Sequence, residues 1–175
     1  MNPAETRQLF PILRDRTYLF SGGHSPASSP AREAIQRLTE EWTHDTADLY
    51  GRLHEERDRV LALYAGLIGA ENEEVAVLDS TGTGSNLAVE MIDVPGRGNV
   101  VFDEWSYPSS IYPWMLPPRD AVERRFVSSR GGVIELDDLD RAINDDTIAV
   151  SISHVTQGQG FRQDLAAVSQ IAHSH

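Results

Sequence analysis

Four short apolar runs, separated by stretches far too long for hairpin turns, constrain this chain more than any other feature. Val75-Ala76-Val77-Leu78, Asn99-Val100-Val101-Phe102, Arg124-Arg125-Phe126-Val127 and Thr147-Ile148-Ala149-Val150-Ser151-Ile152 each have the length of a strand. Helical segments fall between or after them: Leu87-Ala88-Val89-Glu90-Met91-Ile92, a short helix over 136–143, and a last one from about 163 to the end of the chain. Strands joined by helical crossovers pair in parallel, and a parallel sheet needs helices on both of its faces. The sequence therefore predicts an α/β fold with a mostly parallel sheet. The run at 147–152 reads as a buried strand and the one at 124–127 as a weaker one.

The first third of the chain is helical by pattern. Ser29-Pro30 reads as an N-cap followed by proline at the first helical position, opening a helix over 31–43. A second helix is predicted over 51–67, stopped by Gly69. Its residues Leu53, Val60, Leu61, Tyr64, Leu67 and Ile68 recur at helical spacing, which predicts an inward-facing stripe, with Glu55, Glu56, Arg57 and Arg59 on a solvated face. The division expected from this pattern is 1–50, an N-terminal segment and first helix, and 51–175, the first part of a larger α/β domain. A βα unit closes at Ile171-Ala172-His173-Ser174-His175, where a further strand would be expected. Truncation, or completion by another polypeptide, is the expectation, together with an exposed sheet edge and poor solubility or self-association of the chain alone.

Charge and residue usage exclude several functions. A formal charge of −12 leaves no basic surface to displace the counterions of nucleic acid. All 15 basic residues are arginine, a bias that a GC-rich genome or the acidic surface of a high-salt organism would produce. With lysine absent, no side chain here can form a Schiff base with an aldehyde cofactor. Cysteine is also absent, which removes disulfides, thiolate metal sites and cysteine nucleophiles. The N-terminus has no continuous apolar core of a signal peptide and no run long enough to span a bilayer, so the expected setting is cytoplasmic. His24, His44, His54, His173 and His175 show no metal-ligand spacing, and no metal is predicted.

Three polar loops follow strand candidates, at the carboxyl end where open α/β sheets bind ligands. Asp79-Ser80-Thr81-Gly82-Thr83-Gly84-Ser85-Asn86 joins a strand candidate to a helix, a physically sensible anion site, because a helix N-terminus presents unpaired N–H groups. Neither a Walker lysine nor GxGxxG spacing is present, which disfavours nucleotides and leaves a small phosphate-bearing ligand. The same residues also read as a well-capped helix with glycines for packing. Asp103-Glu104-Trp105-Ser106-Tyr107-Pro108-Ser109-Ser110-Ile111-Tyr112-Pro113-Trp114 offers an aromatic ring to stack on a flat heteroaromatic group, or simply packs a loop. Ser153-His154-Val155-Thr156-Gln157-Gly158-Gln159-Gly160 adds hydroxyls, an imidazole and an amide. Convergence of the three on one edge carries more weight than any one of them.

At these loops the chain resembles the class V aminotransferase group of pyridoxal-phosphate (PLP) enzymes, which includes cysteine desulfurases, isopenicillin N epimerase-like proteins and kynureninases. The turn at 79–86 looks like the family's phosphate-binding turn, and the resemblance implies cofactor contacts from Thr81, Gly82 and Thr83. Tyr107-Pro108-Ser109-Ser110-Ile111-Tyr112 is similar to the kynureninase-like pattern Phe-Pro-Thr-Asp-x-Tyr, whose first aromatic stacks on the pyridine ring; that ring would be Tyr107. Ser153-His154-Val155, with Gly160 following, looks like the family's Ser-x-Val…Gly loop, implying that Ser153 and Gln157 line the cofactor's other side. Ser21-Gly22-Gly23-His24-Ser25-Pro26 resembles the N-terminal substrate-facing segment, which would place Gly23 and His24 at the substrate. Gly84 and Tyr107 depart from the commoner family residues at their positions.

The resemblance implies a PLP-transferase-like large-domain fragment, incomplete, that would act on a small amino-acid substrate. In the family, the aspartate that pairs with the pyridinium nitrogen and the Schiff-base lysine come later than the last residue matched here. No catalytic residue is assigned within the chain. His154 is the one candidate base, and a ring-contacting or structural role suits it better, since family members use the lysine for proton transfer. The implied partners are a second chain carrying the aspartate and lysine, a further copy of this chain, or both, with neither nucleic acid nor membrane. The alternatives are a catalytically dead remnant, a regulatory or binding subunit, and a phosphate-ligand-binding α/β domain that does not use PLP.

Overall fold

The structure, a computed structural model, describes residues 2–94 and 96–175. It divides into two compact units, 1–77 and 78–175. The first unit is helical: α1 (Pro3–Gln8), α2 (Ser29–His44) and α3 (Leu49–Ile68). The second contains α4 (Thr81–Glu90), β1 (Asn99–Asp103), α5 (Pro108–Ile111), β2 (Glu123–Val127), α6 (Leu136–Ala142), β3 (Thr147–Ser151) and α7 (Leu165–Ala172).

Local signals set the helix ends. Ser28, one residue earlier than the sequence predicts, is the N-cap of α2: its side chain accepts the Ala31 N–H, so Ser29 and Pro30 occupy the first turn. Gly69 closes α3 in the left-handed conformation (φ 72°) that glycine adopts without a Cβ penalty. The predicted inward stripe of α3 is not buried. Val60, Tyr64, Leu67 and Ile68 are all about half exposed or more, Leu67 at 79%, and Leu49 and Ala65 are the helix's buried residues. Helical periodicity fixes which side chains share a face, but burial needs a second surface to cover that face.

In the second unit the strands pair in parallel in the order β2-β1-β3. β1 is central and buried at every position, as its uncharged Val100-Val101-Phe102 core requires. Alternation sends its side chains to opposite faces. Val100 and Phe102 join Val89, Trp114 and Val122 on the side of α4 and the 3-10 turn Tyr112–Trp114. Val101 joins Val127, Leu139, Ile143 and Val168 on the side of α6 and α7. Helices therefore cover both faces.

Two strand predictions are corrected. Val75–Leu78 forms no strand, with Val77 and Leu78 exposed, because no neighbouring strand among the described residues offers it a ladder. β3 is half-buried along its length rather than buried, since it pairs on one side and leaves the other free. The last helix starts at Leu165, where the Asp164 side chain accepts the N–H groups of Ala166 and Ala167. Among the described residues no helix is long and apolar enough to cross a membrane.

Candidate functional site at the carboxyl edge of the sheet

The glycine-rich segment is the opening of a helix rather than a loop preceding one. Ser80 caps α4, its hydroxyl accepting the Thr83 N–H at 3.2 Å and lying 3.1 Å from the Thr83 hydroxyl. The Gly84 N–H is taken by the Ser80 carbonyl. Among the described residues, the N–H groups of Thr81 and Gly82 find no partner, and they are the donors left for an anion. A Cβ on Gly82 would meet nothing nearer than the Ser80 hydroxyl at 3.7 Å, so the approach to this turn is open. Asn86 donates to the Gly82 carbonyl at 2.8 Å and stiffens it.

The carboxyl ends of β1 and β3 are locked together by one buried carboxylate. Asp103, at the last position of β1, is fully buried and accepts three hydrogen bonds: from the Trp105 N–H (2.8 Å), the Ser106 hydroxyl (3.0 Å) and the Ser153 N–H (2.8 Å). The first two hold the turn that leads into Tyr107. The third reaches across fifty residues to the loop after β3. Tyr107 then stands exposed at the N-cap of α5, its carbonyl accepting the Ser110 N–H and hydroxyl. α5 packs beside α4.

The third loop folds into a tight hairpin. Val155 bridges Arg162, the Thr156 N–H donates to the Phe161 carbonyl, and the Gly160 N–H donates to the Thr156 carbonyl with Gly160 at φ 66°. Trp105 lies so close to Gly158 that a Cβ there would sit 3.0 Å from its ring, a contact that any larger residue would crowd. The Trp105 indole N–H donates to the Ser129 hydroxyl, and Ser129 in turn donates from both its hydroxyl and its N–H to Glu104. These two bonds, the hydroxyl's first, hold the Glu104 carboxyl below its ordinary range. The end of β2 is thus tied to the same edge.

The predicted site residues fall into three groups. Tyr107 and Ser153 are joined through Asp103, and Gln157 sits exposed in the hairpin that Trp105 supports. Thr81, Gly82 and Thr83 form the first turn of α4. Gly23 and His24 belong to the first unit, in a turn where both N–H groups donate to the Phe20 carbonyl and the Tyr18 hydroxyl donates to the His24 carbonyl at 2.6 Å. A Cβ on Gly23 would lie 2.3 Å from the tip of the Phe20 ring, which is 63% exposed and would have to turn aside. The His154 ring is exposed, while its carbonyl accepts the Gln163 N–H. Sequence reasoning missed Asp103, Trp105 and Ser129 as organisers. The legible signal was an acidic residue ending an otherwise apolar strand.

The sequence model of the family described as aminotransferase class V matches residues 17–175. The chain belongs to the class V aminotransferase family. It is 27% identical over 170 residues to an uncharacterized aminotransferase of Bacillus subtilis, covering 97% of this chain and 45% of that protein. It is 25% identical over 182 residues to a probable cysteine desulfurase of Methanothermobacter thermautotrophicus, covering 99% of this chain and 44% of that one. Among solved structures, its fold matches the C-DES K223A mutant with glycine covalently linked to the PLP cofactor. The TM-score is 0.87 at 18% identity, over 97% of this chain and 46% of that one. The apo cysteine desulfurase of Thermococcus onnurineus matches with a TM-score of 0.79 at 19% identity, over 99% of this chain and 46% of that one. The class V chain described here therefore spans a little under half the length of these relatives. The fold is that of the PLP-transferase large domain, as the sequence predicts.

Proposed function

We propose that this chain is the cofactor-cradling part of a PLP-dependent class V enzyme acting on a small amino-acid substrate. In this reading the pyridinium-pairing aspartate and the Schiff-base lysine lie outside these 175 residues, on a second polypeptide or on further residues of the same one. The observation that carries the proposal is the buried Asp103 bridge, which fixes the Tyr107 turn and Ser153 on one edge of a family fold. The open first turn of α4 fits a phosphate: two N–H groups lack partners, and the hydroxyls of Thr81 and Thr83 stand beside them. Tyr107, exposed and anchored by its backbone, suits a ring that stacks on a flat heterocycle, while Ser153 and Gln157 supply hydrogen bonds beside it. Gly23 and His24 are assigned to the substrate, and His154 to a supporting role.

Bound there, PLP supplies an electron sink for bonds at the substrate's α-carbon. The chain's own contribution is to hold the phosphate, orient the ring and shape part of the substrate mouth. It has no lysine to carry the covalent link or move the α-proton, so alone it is expected to be inactive. The polar edge, the acidic charge and the absence of cysteine are consistent with work in the cytoplasm on small molecules.

Native purification from the source organism with PLP, followed by borohydride reduction and intact mass spectrometry, tests this reading. Cofactor fixed to a lysine, on a stoichiometric second polypeptide or on a longer form of this one, is the expected result. Recovery of the 19.4 kDa chain alone and without cofactor would sink the enzymatic reading in favour of a remnant or a different phosphate-binding role. Within a PLP-binding assembly, Thr83→Ala is expected to weaken cofactor binding by about 1–2 kcal/mol, the contribution of a hydrogen bond to a charged group. An unchanged PLP titration would remove Thr83 from the cradle.

A further inference from the structure

Gln157 differs from the other residues assigned to the cofactor: its chain neighbours are fixed on both sides while it stays exposed itself. Before it, Thr156 is buried, and its hydroxyl accepts the Phe161 N–H at 3.2 Å. After it, Gly158 lies against the six-membered part of the Trp105 indole, where an added Cβ would come within 3.0 Å of two ring atoms. Gly158 does not have a positive φ, so alanine there would meet the ring and not backbone strain. One residue further on, the Gln159 side chain packs on Gly132, where a Cβ would lie 2.7 Å from it. The hairpin tip at 157–159 therefore rests on two other connections of the sheet, the one after β1 through Trp105 and the one after β2 through Gly132.

Trp105 is in turn held at two points. Its backbone N–H donates to Asp103 at 2.8 Å and its indole N–H to the Ser129 hydroxyl at 3.0 Å. Ser129 is itself tied to Glu104, through its N–H at 2.7 Å and through its hydroxyl. With Trp105 at 36% exposure, water could satisfy the indole N–H, so the bond to Ser129 adds little stability. What the bond does is hold the ring in the orientation that Gly158 meets.

We propose that Trp105 is a positioning residue for the cofactor ring: by bearing on Gly158 it sets where Gln157 stands, and Ser129 holds it in place. The inference rests on the functional reading above, in which Gln157 lines the cofactor. Trp105 needs no contact with the cofactor, because its effect passes through the Gln157 amide. A hydrogen bond weakens steeply as its geometry departs from linear, so an amide on an unsupported hairpin tip would lose it.

Titration calorimetry on the natively purified protein, freed of cofactor, tests this with two ligands, pyridoxine 5′-phosphate and inorganic phosphate. The first has the ring and the phosphate but no aldehyde, so its binding needs no lysine. Trp105→Ala is expected to bind it about tenfold more weakly, the value of one well-placed hydrogen bond. Inorganic phosphate, which needs only the first turn of α4, should bind as before. In a Gln157→Ala background the same substitution is expected to change nothing further. Gly158→Ala crowds the same contact from the other side; it should act in the same direction and carries the test if Trp105→Ala does not fold. Three results overturn the inference and leave the functional reading standing: unchanged binding of pyridoxine 5′-phosphate, equal weakening of both ligands, or an undiminished effect without Gln157. Failure of the unsubstituted protein to bind pyridoxine 5′-phosphate better than phosphate defeats the functional reading, and the inference with it.

Discussion

The two compact units differ in how they use their apolar residues. In 1–77 the helices α2 and α3 are long and locally well terminated, yet Ile35, Trp42, Tyr50, Leu63, Tyr64 and Leu67 are all exposed by more than half. In 78–175 shorter elements close around β1, and Val100, Val101, Phe102 and Leu139 have no exposure at all. Helical structure needs only contacts three and four residues apart, whereas a parallel sheet exists only through contacts between distant segments. The lesson is that good secondary structure and a good core are separate achievements, and in this chain the second unit has both.

That contrast can be broken by mutation. The largest effect is expected at the centre of the second unit: Phe102→Ala should cost about 4 kcal/mol, the usual range for emptying a buried aromatic site, measured by urea denaturation. Next comes Asp103→Ala, which strips three hydrogen-bond donors of their acceptor. A loss of about 3 kcal/mol is expected, with faster exchange at the Ser153 amide. A loss below about 1 kcal/mol would mean that water replaces the carboxylate and that the β1–β3 bridge is not structural.

In the first unit, Leu67→Ala should change stability by no more than about 0.5 kcal/mol in the isolated chain, because the side chain is 79% exposed. A much larger cost would show that α3's apolar face is covered in solution and would erase the contrast. The smallest effect concerns Glu104. Its carboxyl is held below the ordinary value of 4.5 by Ser129, so the folded state binds this proton less readily than the unfolded chain. The resulting stabilisation is present above pH 4.5 and is lost as pH falls through the depressed folded value. Ser129→Ala should flatten that acid-side slope, and an identical pH profile in the variant would remove the contact from solution.

Much of this could be read along the chain. The elements after residue 98 fall where apolar runs and caps put them, the sheet is parallel as the crossovers demand, and the three polar segments are those the family resemblance marks. The failures share a cause. Leu53, Val60, Tyr64 and Leu67 form a stripe by period, and Val75–Leu78 reads as a strand by composition, but neither pattern carries information about whether a covering surface or a ladder partner is present. Ser28 in place of Ser29 as the N-cap is an ambiguity of adjacent serines, decided by which hydroxyl reaches an N–H three residues on.

By itself the sequence determined where the longer helices and the three paired strands lie, the acidic charge and the lack of any lysine to hold an aldehyde. These are consequences of local propensity and of composition, which a linear text contains. Only the tertiary structure decided that Asp103 would serve as a buried latch to Ser153, that Trp105 would press on Gly158, and that β1 would lie between β2 and β3. Each depends on residues that meet across 24 or more positions of chain, and that meeting is set by packing rather than by any neighbourhood in the sequence.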